Sequence, residues 1–393
     1  MAWLGGCARQ APAGATPSLA EYLYLWTASA DSTAPDFLAV LDVTEASPRY
    51  GRLVTTLPVP GRGNVPHHTE HALPADRQLF ANGFATGRTW VFDLREPTRP
   101  RIAAEFGEVA GLSHPHSFVR LPDGDVLATF QMRHDSAGMR TGGIAQLTST
   151  GAVRRSRSGD FAGADAGLRA YSAAVVPALY RIVTTTSDMH ADHPASRHLQ
   201  LWRLSDFTLL ATFPLPGDPE GLLTAEPRVL ADGKRVLVST FNCGLYLLEG
   251  LEGDAPSARL VASFPRKDGA YCAIPVVAGD YYLVTVPAWN AVVSLDVRDP
   301  AHPREVSRVT LGADDVPRWI ALSGDRRRVV LTGYGALRHR VLLLRFDPAT
   351  GALAVDERFR EAGAAAPGFR LDDTAWPHGG RAAGIPHGAV FGQ

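Results

Sequence analysis

The 393-residue sequence contains no apolar run approaching the roughly 18 residues of a membrane-crossing helix, so a soluble chain without a transmembrane segment is expected. Cysteine is scarce: Cys7, Cys243 and Cys272 are too few for a dense disulfide framework, and Cys243 and Cys272 are read as small hydrophobes. Neither sign of charge dominates. With 39 Lys plus Arg against 40 Asp plus Glu, the formal net charge is -1. That balance offers no electrostatic footprint for nucleic acid or an anionic membrane, and it leaves small-molecule chemistry or a neutral partner. Helical periodicity is almost missing, whereas 45% hydrophobic residues exclude disorder as the main state.

What is present is a long series of short strands. From about residue 19 onward, runs such as EYLYLW, DFLAVLDV, TWVFDL, HLQLWRL, RVLVSTF, YYLVTV and VLLLRFD alternate with Gly, Pro, Asp and Asn turns. Six segments fall into register on Leu73, Leu121, Val176, Leu230, Val277 and Leu322. Each carries an apolar anchor, a tight turn and further strands, in units of about 45 to 55 residues, the length of a four-stranded propeller blade. A seventh unit is made by N-terminal strands within residues 20–60, closed by the C-terminal stretch IPHGAVFGQ. The expectation is an all-β, seven-bladed β-propeller whose N- and C-terminal strands share one blade, which leaves no sheet edge exposed. Residues 19–393 would form a single propeller domain. Residues 1–18 read as a flexible tether, in which Leu4-Gly5-Gly6-Cys7 is similar to the end of a bacterial lipoprotein signal lacking its charged and hydrophobic regions. On that reading Cys7 carries a lipid anchor and the protein works in the periplasm or otherwise outside the cytoplasm; without it, the protein is cytoplasmic.

The stretch NVPHHTEHAL gathers three of the chain's 13 histidines within five positions. Counting five residues back from each anchor gives His68, His116, Tyr171, Ala225, Cys272 and Pro317, and IPHGAVF in the same register gives His387. In a propeller this is where the innermost strand begins, so imidazoles from three consecutive blades converge on one end of the central channel. Glu226 sits one step further in on blade four. The turn TTTSDMHADHPASRH of blade three brings His190 and His193 to the same face. The expected metal site is therefore His68, His116 and His387 with His190, and His193, His67 and His71 are second choices. His67 and His71 are expected around the site or on the surface. His114 is expected to serve structure, and His134, His198, His302, His339 and His378 have no convergent placement. Imidazole-only coordination suits copper, iron, zinc or nickel.

These residues also resemble a known family. The stretch DFLAVLDVTEASPRYGRLVTTLPVP followed by HH, HPHS before LPDGDVLATF, AEPRVLADGKRVLVST, DVRDPAHPREVSRVTLG and RWIALSGDRRRVVLTG are similar, in order, to the selenium-binding protein and methanethiol oxidase family. The resemblance implies a seven-bladed propeller and, for bacterial members, a copper enzyme that oxidises methanethiol with O2 to formaldehyde, hydrogen sulfide and hydrogen peroxide. It carries over onto His68, His116 and the Glu226-x-Arg228 stretch. Tyr171 and Glu226 are then candidates for moving protons, with Arg228 orienting Glu226. The partners implied are a small thiol or related organosulfur compound and O2. Two other readings share the ligands: a four-histidine iron oxygenase cleaving an alkene, and a noncatalytic metal- or selenium-binding propeller. A propeller lactonase would need Glu, Asp and Asn around a hard metal, and the histidine-rich funnel argues against it.

Overall fold

The structure, a computed structural model, describes residues 21–135, 138–161, 168–189, 196–272, 274–333 and 339–392. Cys7, His190 and His193 lie outside the described residues. Seven antiparallel sheets form a ring, each with four strands running outward from the axis, and blade six carries a fifth short strand. The innermost strands are Pro66–Thr69, Leu112–Arg120, Ala173–Val176, Thr224–Val229, Val276–Ala278, Trp319–Leu322 and, in blade seven, Gly384–Gly392. The last of these pairs with Tyr22–Ser29, so the two ends of the chain close one blade, as the repeat implies. Among the described residues no α-helix occurs and no helix is long and apolar enough to cross a membrane.

The unbroken apolar runs follow from the ring. A blade packs both faces against neighbours, so alternate side chains of one strand enter two different cores. On Tyr22–Ser29, Leu23 and Leu25 pack with Trp319, Val330 and Leu343 of blade six. Tyr24 and Trp26, pointing the other way, pack with Leu79, Trp90 and Phe92 of blade one.

The innermost strands share a second feature. Pairing slips between Pro66 and Thr69, between Pro115 and Phe118, between Thr224 and Pro227, and opposite Leu25–Thr27, where Pro386 to Ala389 runs past the partner strand. Each is a bulge with one extra residue on the inner strand. In blades one to four a polar side chain of the second strand meets the inner-strand backbone at this height. Asn82 Oδ1 accepts the His68 N–H at 2.7 Å, Thr129 Oγ1 the Ser117 N–H at 3.0 Å, Thr185 Oγ1 the Ser172 N–H at 3.0 Å, and Ser239 Oγ the Glu226 N–H at 3.3 Å. Three of these groups then donate to the inner strand of the next blade: Asn82 Nδ2 to Pro115 O at 2.9 Å, Thr129 Oγ1 to Tyr171 O at 2.7 Å, and Thr185 Oγ1 to Ala225 O at 2.6 Å. The bulged backbone is thereby satisfied and the blades are tied together around the channel mouth.

Candidate metal centre

The bulge at Pro66–Thr69 decides the site. In a regular strand consecutive side chains point to opposite faces, yet His67 and His68 stack with ring centroids 4.3 Å apart and planes 9° apart. The extra residue turns both rings to the axis. His116, on the equivalent bulge of blade two, meets His68 at 4.3 Å and His67 at 4.8 Å. The ligating atoms of His67, His68 and His116 all lie within 4.8 Å of one another, and all three residues are buried. His387 of blade seven adds a fourth ring, 4.3 Å from His67 and 5.5 Å from His68. Gly388 permits this approach, since a Cβ there would stand 2.8 Å from the Thr69 amide nitrogen and 3.0 Å from the His67 carbonyl.

The four sequence-predicted residues thus divide. His68, His116 and His387 come together, whereas His190 lies outside the described residues. His67, expected around the site or at the surface, is 2% exposed and belongs to the compact trio. His71 is not a surface group either. It stacks on Trp319 at 4.4 Å and 1° and accepts from Arg228 Nη2 at 2.8 Å, facing the far end of the channel.

Hydrogen bonds orient the rings. His116 Nδ1 lies 2.9 Å from the Tyr171 carbonyl oxygen, which can only accept, so Nδ1 carries the proton and Nε2 keeps the lone pair that a metal needs. Ser117 Oγ holds two rings at once, 3.1 Å from His116 Nδ1 and 3.2 Å from His68 Nδ1. The Tyr171 hydroxyl reaches to 3.4 Å from His68 Nε2, and its ring lies 4.0 Å from that of His116. His67 Nδ1 is buried without a hydrogen-bond partner among the described residues.

Burial, and then the proximity of the other rings and of Arg318, holds His67 and His387 well below the usual imidazole pKa; for His68 the causes are burial and the neighbouring rings. His67, His68 and His387 are therefore neutral at neutral pH, the state in which imidazole ligates. Burial, with the Glu226 carboxylate beside it, pushes Tyr171 well above the ordinary phenol value, so it remains a hydroxyl. Glu226 is itself buried; its Oε2 accepts from Ser172 Oγ at 2.6 Å and Arg228 Nη1 at 2.7 Å. Its Oε1 has no partner among the described residues.

Several parts of the site are not visible in the histidine count. Trp319 presents its edge to His68 at 5.1 Å, two residues beyond the Pro317 that register selects. Phe241 packs against Tyr171 at 5.3 Å, and Phe84 against His67 at 5.5 Å. Cys243 and Cys272 are not free hydrophobes: they form a disulfide, with Cα atoms 5.0 Å apart. Cys272 precedes the inner strand of blade five and Cys243 follows the second strand of blade four. Those positions share one rim of adjacent blades, which was the available signal.

Three or four buried neutral imidazoles, with no carboxylate in the group, fit a borderline or soft transition metal. No family model matches the chain. It is 32% identical over 108 residues to a methanethiol oxidase of Hyphomicrobium sp, covering 26% of this chain and 24% of that protein. It is 31% identical over 147 residues to selenium-binding protein 2 of Arabidopsis thaliana, covering 32% and 30%. The matched stretches thus span less than a third of either relative's length. A solved structure of a hypothetical selenium-binding protein from Sulfolobus tokodaii shares the fold with a TM-score of 0.76 at 18% identity, over 95% of this chain and 94% of that one. Stretches of the chain are thus similar in sequence to a methanethiol oxidase and to a selenium-binding protein, and its ring of seven blades is a fold shared with the solved structure.

Proposed function

We propose that the chain is a metal-dependent oxidase of a small thiol or related organosulfur compound, methanethiol-oxidase-like, with copper held by His67, His68, His116 and His387. One observation carries the reading: three buried imidazoles from two blades bring their ligating atoms within 4.8 Å of one another. The methanethiol oxidase relatives supply the reaction class. Bound copper would supply a soft Lewis acid for a thiolate and a one-electron couple for its reaction with O2.

The chain's own residues do the rest. The Tyr171 carbonyl and Ser117 hydroxyl fix ring orientation, so the lone pairs converge before any ligand arrives. Glu226, with Oε2 held by Ser172 and Arg228, keeps Oε1 as a base for the thiol proton. The Tyr171 hydroxyl, protonated throughout the neutral range and 3.4 Å from His68 Nε2, stands beside the ligating nitrogen as a proton donor to product. Phe84, Tyr171, Phe241 and Trp319 wall the site against water.

The test is metal analysis of protein purified without a histidine tag, followed by oxygen uptake. His68→Ala and His116→Ala are each expected to lower bound metal by about tenfold or more. His302→Ala, whose side chain is 80% exposed, leaves it unchanged. Equal metal in all three variants would remove the site. Copper-loaded protein is expected to consume oxygen when a small thiol is added and to release peroxide and an aldehyde; a loaded protein inert to thiols would be a carrier. Because the all-imidazole donor set suits ferrous iron as well, alkene cleavage restored by ferrous iron and abolished by copper would select the oxygenase reading.

A further inference from the structure

The innermost strands lead from the imidazole cluster to the opposite end of the channel, where their last residues and the turns after them enclose a cavity of about 710 Å³. That size lies in the range of small-molecule sites. His71 lines this cavity and stacks on Trp319, which in turn meets His68, while none of the clustered imidazoles lines it, so it is a separate compartment from the metal centre.

Its walls are apolar, with Phe118, Val175, Val229, Val277, Leu322 and Phe391 among them, but its charges are mostly of one sign. Arg77, Arg120, Arg228 and Arg326 face one carboxylate, Glu70. Two of the four guanidinium groups are already answered. Arg120 donates to Glu70 Oε1 at 2.7 Å and to Asp76 Oδ2 at 3.2 Å. Arg228 is held by Glu226, His71 and the Pro275 carbonyl. Arg77 and Arg326 have no ion pair among the described residues, and Arg77 Nη1 is buried without a hydrogen-bond partner there.

The backbone beneath these two arginines is as informative as their charge. In blades two and four the turn after the inner strand places glycine in the left-handed region, Gly124 at φ 87° and Gly233 at φ 70°. Their N–H groups close the turns on Leu121 O and Leu230 O at 3.0 and 2.9 Å. In blades one and six the same turn position is occupied by Arg77 at φ 57° and Arg326 at φ 58°, closing on Pro74 O and Ser323 O at 2.9 and 2.8 Å. Glycine holds that conformation without the penalty a Cβ carries. Blade three places Tyr180 at the same turn at φ 55°, so the turn accepts a side chain without requiring one, and Arg77 and Arg326 are distinguished by lining the cavity.

We propose that this cavity binds a small organic anion, its anionic head received by Arg77 and Arg326 and its apolar body by the walls. The inference is independent of the metal, and so is its test. Titration calorimetry on the protein as purified should show saturable binding of octanoate and none of octanamide, which has the same body without the charge. Arg77→Gly with Arg326→Gly should weaken octanoate binding by about tenfold or more, while the urea midpoint stays level or rises because a left-handed position has been relaxed. Arg77→Asn with Arg326→Asn, a residue that also tolerates this region, should weaken octanoate equally and guards against a folding defect in the glycine pair. Absence of octanoate binding, equal binding of octanamide, or unchanged affinity in both double variants would overturn the proposal.

Discussion

Glu226 and Arg228 lie two positions apart on one inner strand, and the sequence already suggested that the arginine serves the glutamate. The structure gives the pair a 2.7 Å contact with the carboxylate 1% exposed. Removing one partner of such a pair costs more than removing both, because the remaining charge stays buried without compensation. Arg228→Met is therefore expected to destabilise the fold by about 3–5 kcal/mol, read from urea unfolding, and adding Glu226→Met should recover most of that loss. Equal stabilities for the two variants would mean that the pair is not what holds Glu226. At this scale the sequence was legible wherever one residue decides a role: His68, His116 and His387 are the three histidines among the seven residues that the register selects, and the structure brings them together. It was not legible for His67, because a neighbour of an inward residue points outward unless the strand bulges, and nothing in PHHT announces the bulge.

The bulges are properties of pairs of strands, which explains why they escape a reading along the chain. In blades one to four a polar side chain on the second strand meets the inner strand, and Asn82, Thr129, Thr185 and Ser239 occupy that height. Once the register is known, the polar residue inside an otherwise apolar second strand is a usable signal, as in LATF and VST. Thr129 is the most consequential of the four. Its hydroxyl accepts from Ser117, whose own hydroxyl orients His68 and His116, and it donates to Tyr171 O, the acceptor for His116 Nδ1. Thr129→Val keeps the shape and deletes both bonds. The expected result is a loss of about 1–3 kcal/mol in urea unfolding together with weaker metal retention during dialysis against a chelator. Thr150→Val, whose hydroxyl lies on the exposed outer face of blade two, should change neither. Lost stability with full metal retention would separate the ladder from the site.

The ring as a whole was the most legible level, since a repeated pattern of anchor, turn and strand leaves little choice of architecture. Its closure has consequences at both ends of the hierarchy. Gly384–Gly392 supplies the inner strand of blade seven, pairing along Tyr22–Ser29 from Tyr22 opposite Gly392 to Ser29 opposite Gly384. It also supplies Ala389 and Phe391 to the core shared with blade six, Val390 to the core shared with blade one, and His387 to the imidazole cluster. Trp319 Nε1 donates to the Ala389 carbonyl at 2.9 Å and Thr332 Oγ1 to the His387 carbonyl at 2.8 Å, so blade six is anchored to the same strand. Deleting residues 384–393 would remove one sheet strand, two cores' worth of contacts and a candidate ligand together. It would also leave the inner edge of Tyr22–Ser29 unpaired, with Leu23, Leu25 and Trp26 beside it, a template for edge-to-edge association. The truncated chain is expected to elute as higher oligomers in size-exclusion chromatography and to lose its single cooperative urea transition, and a synthetic peptide of residues 384–393 added during refolding should restore part of the monomer. A truncated chain that stays monomeric with an unchanged midpoint would show that six blades and an open seventh suffice, and that the shared blade serves the metal centre rather than the ring.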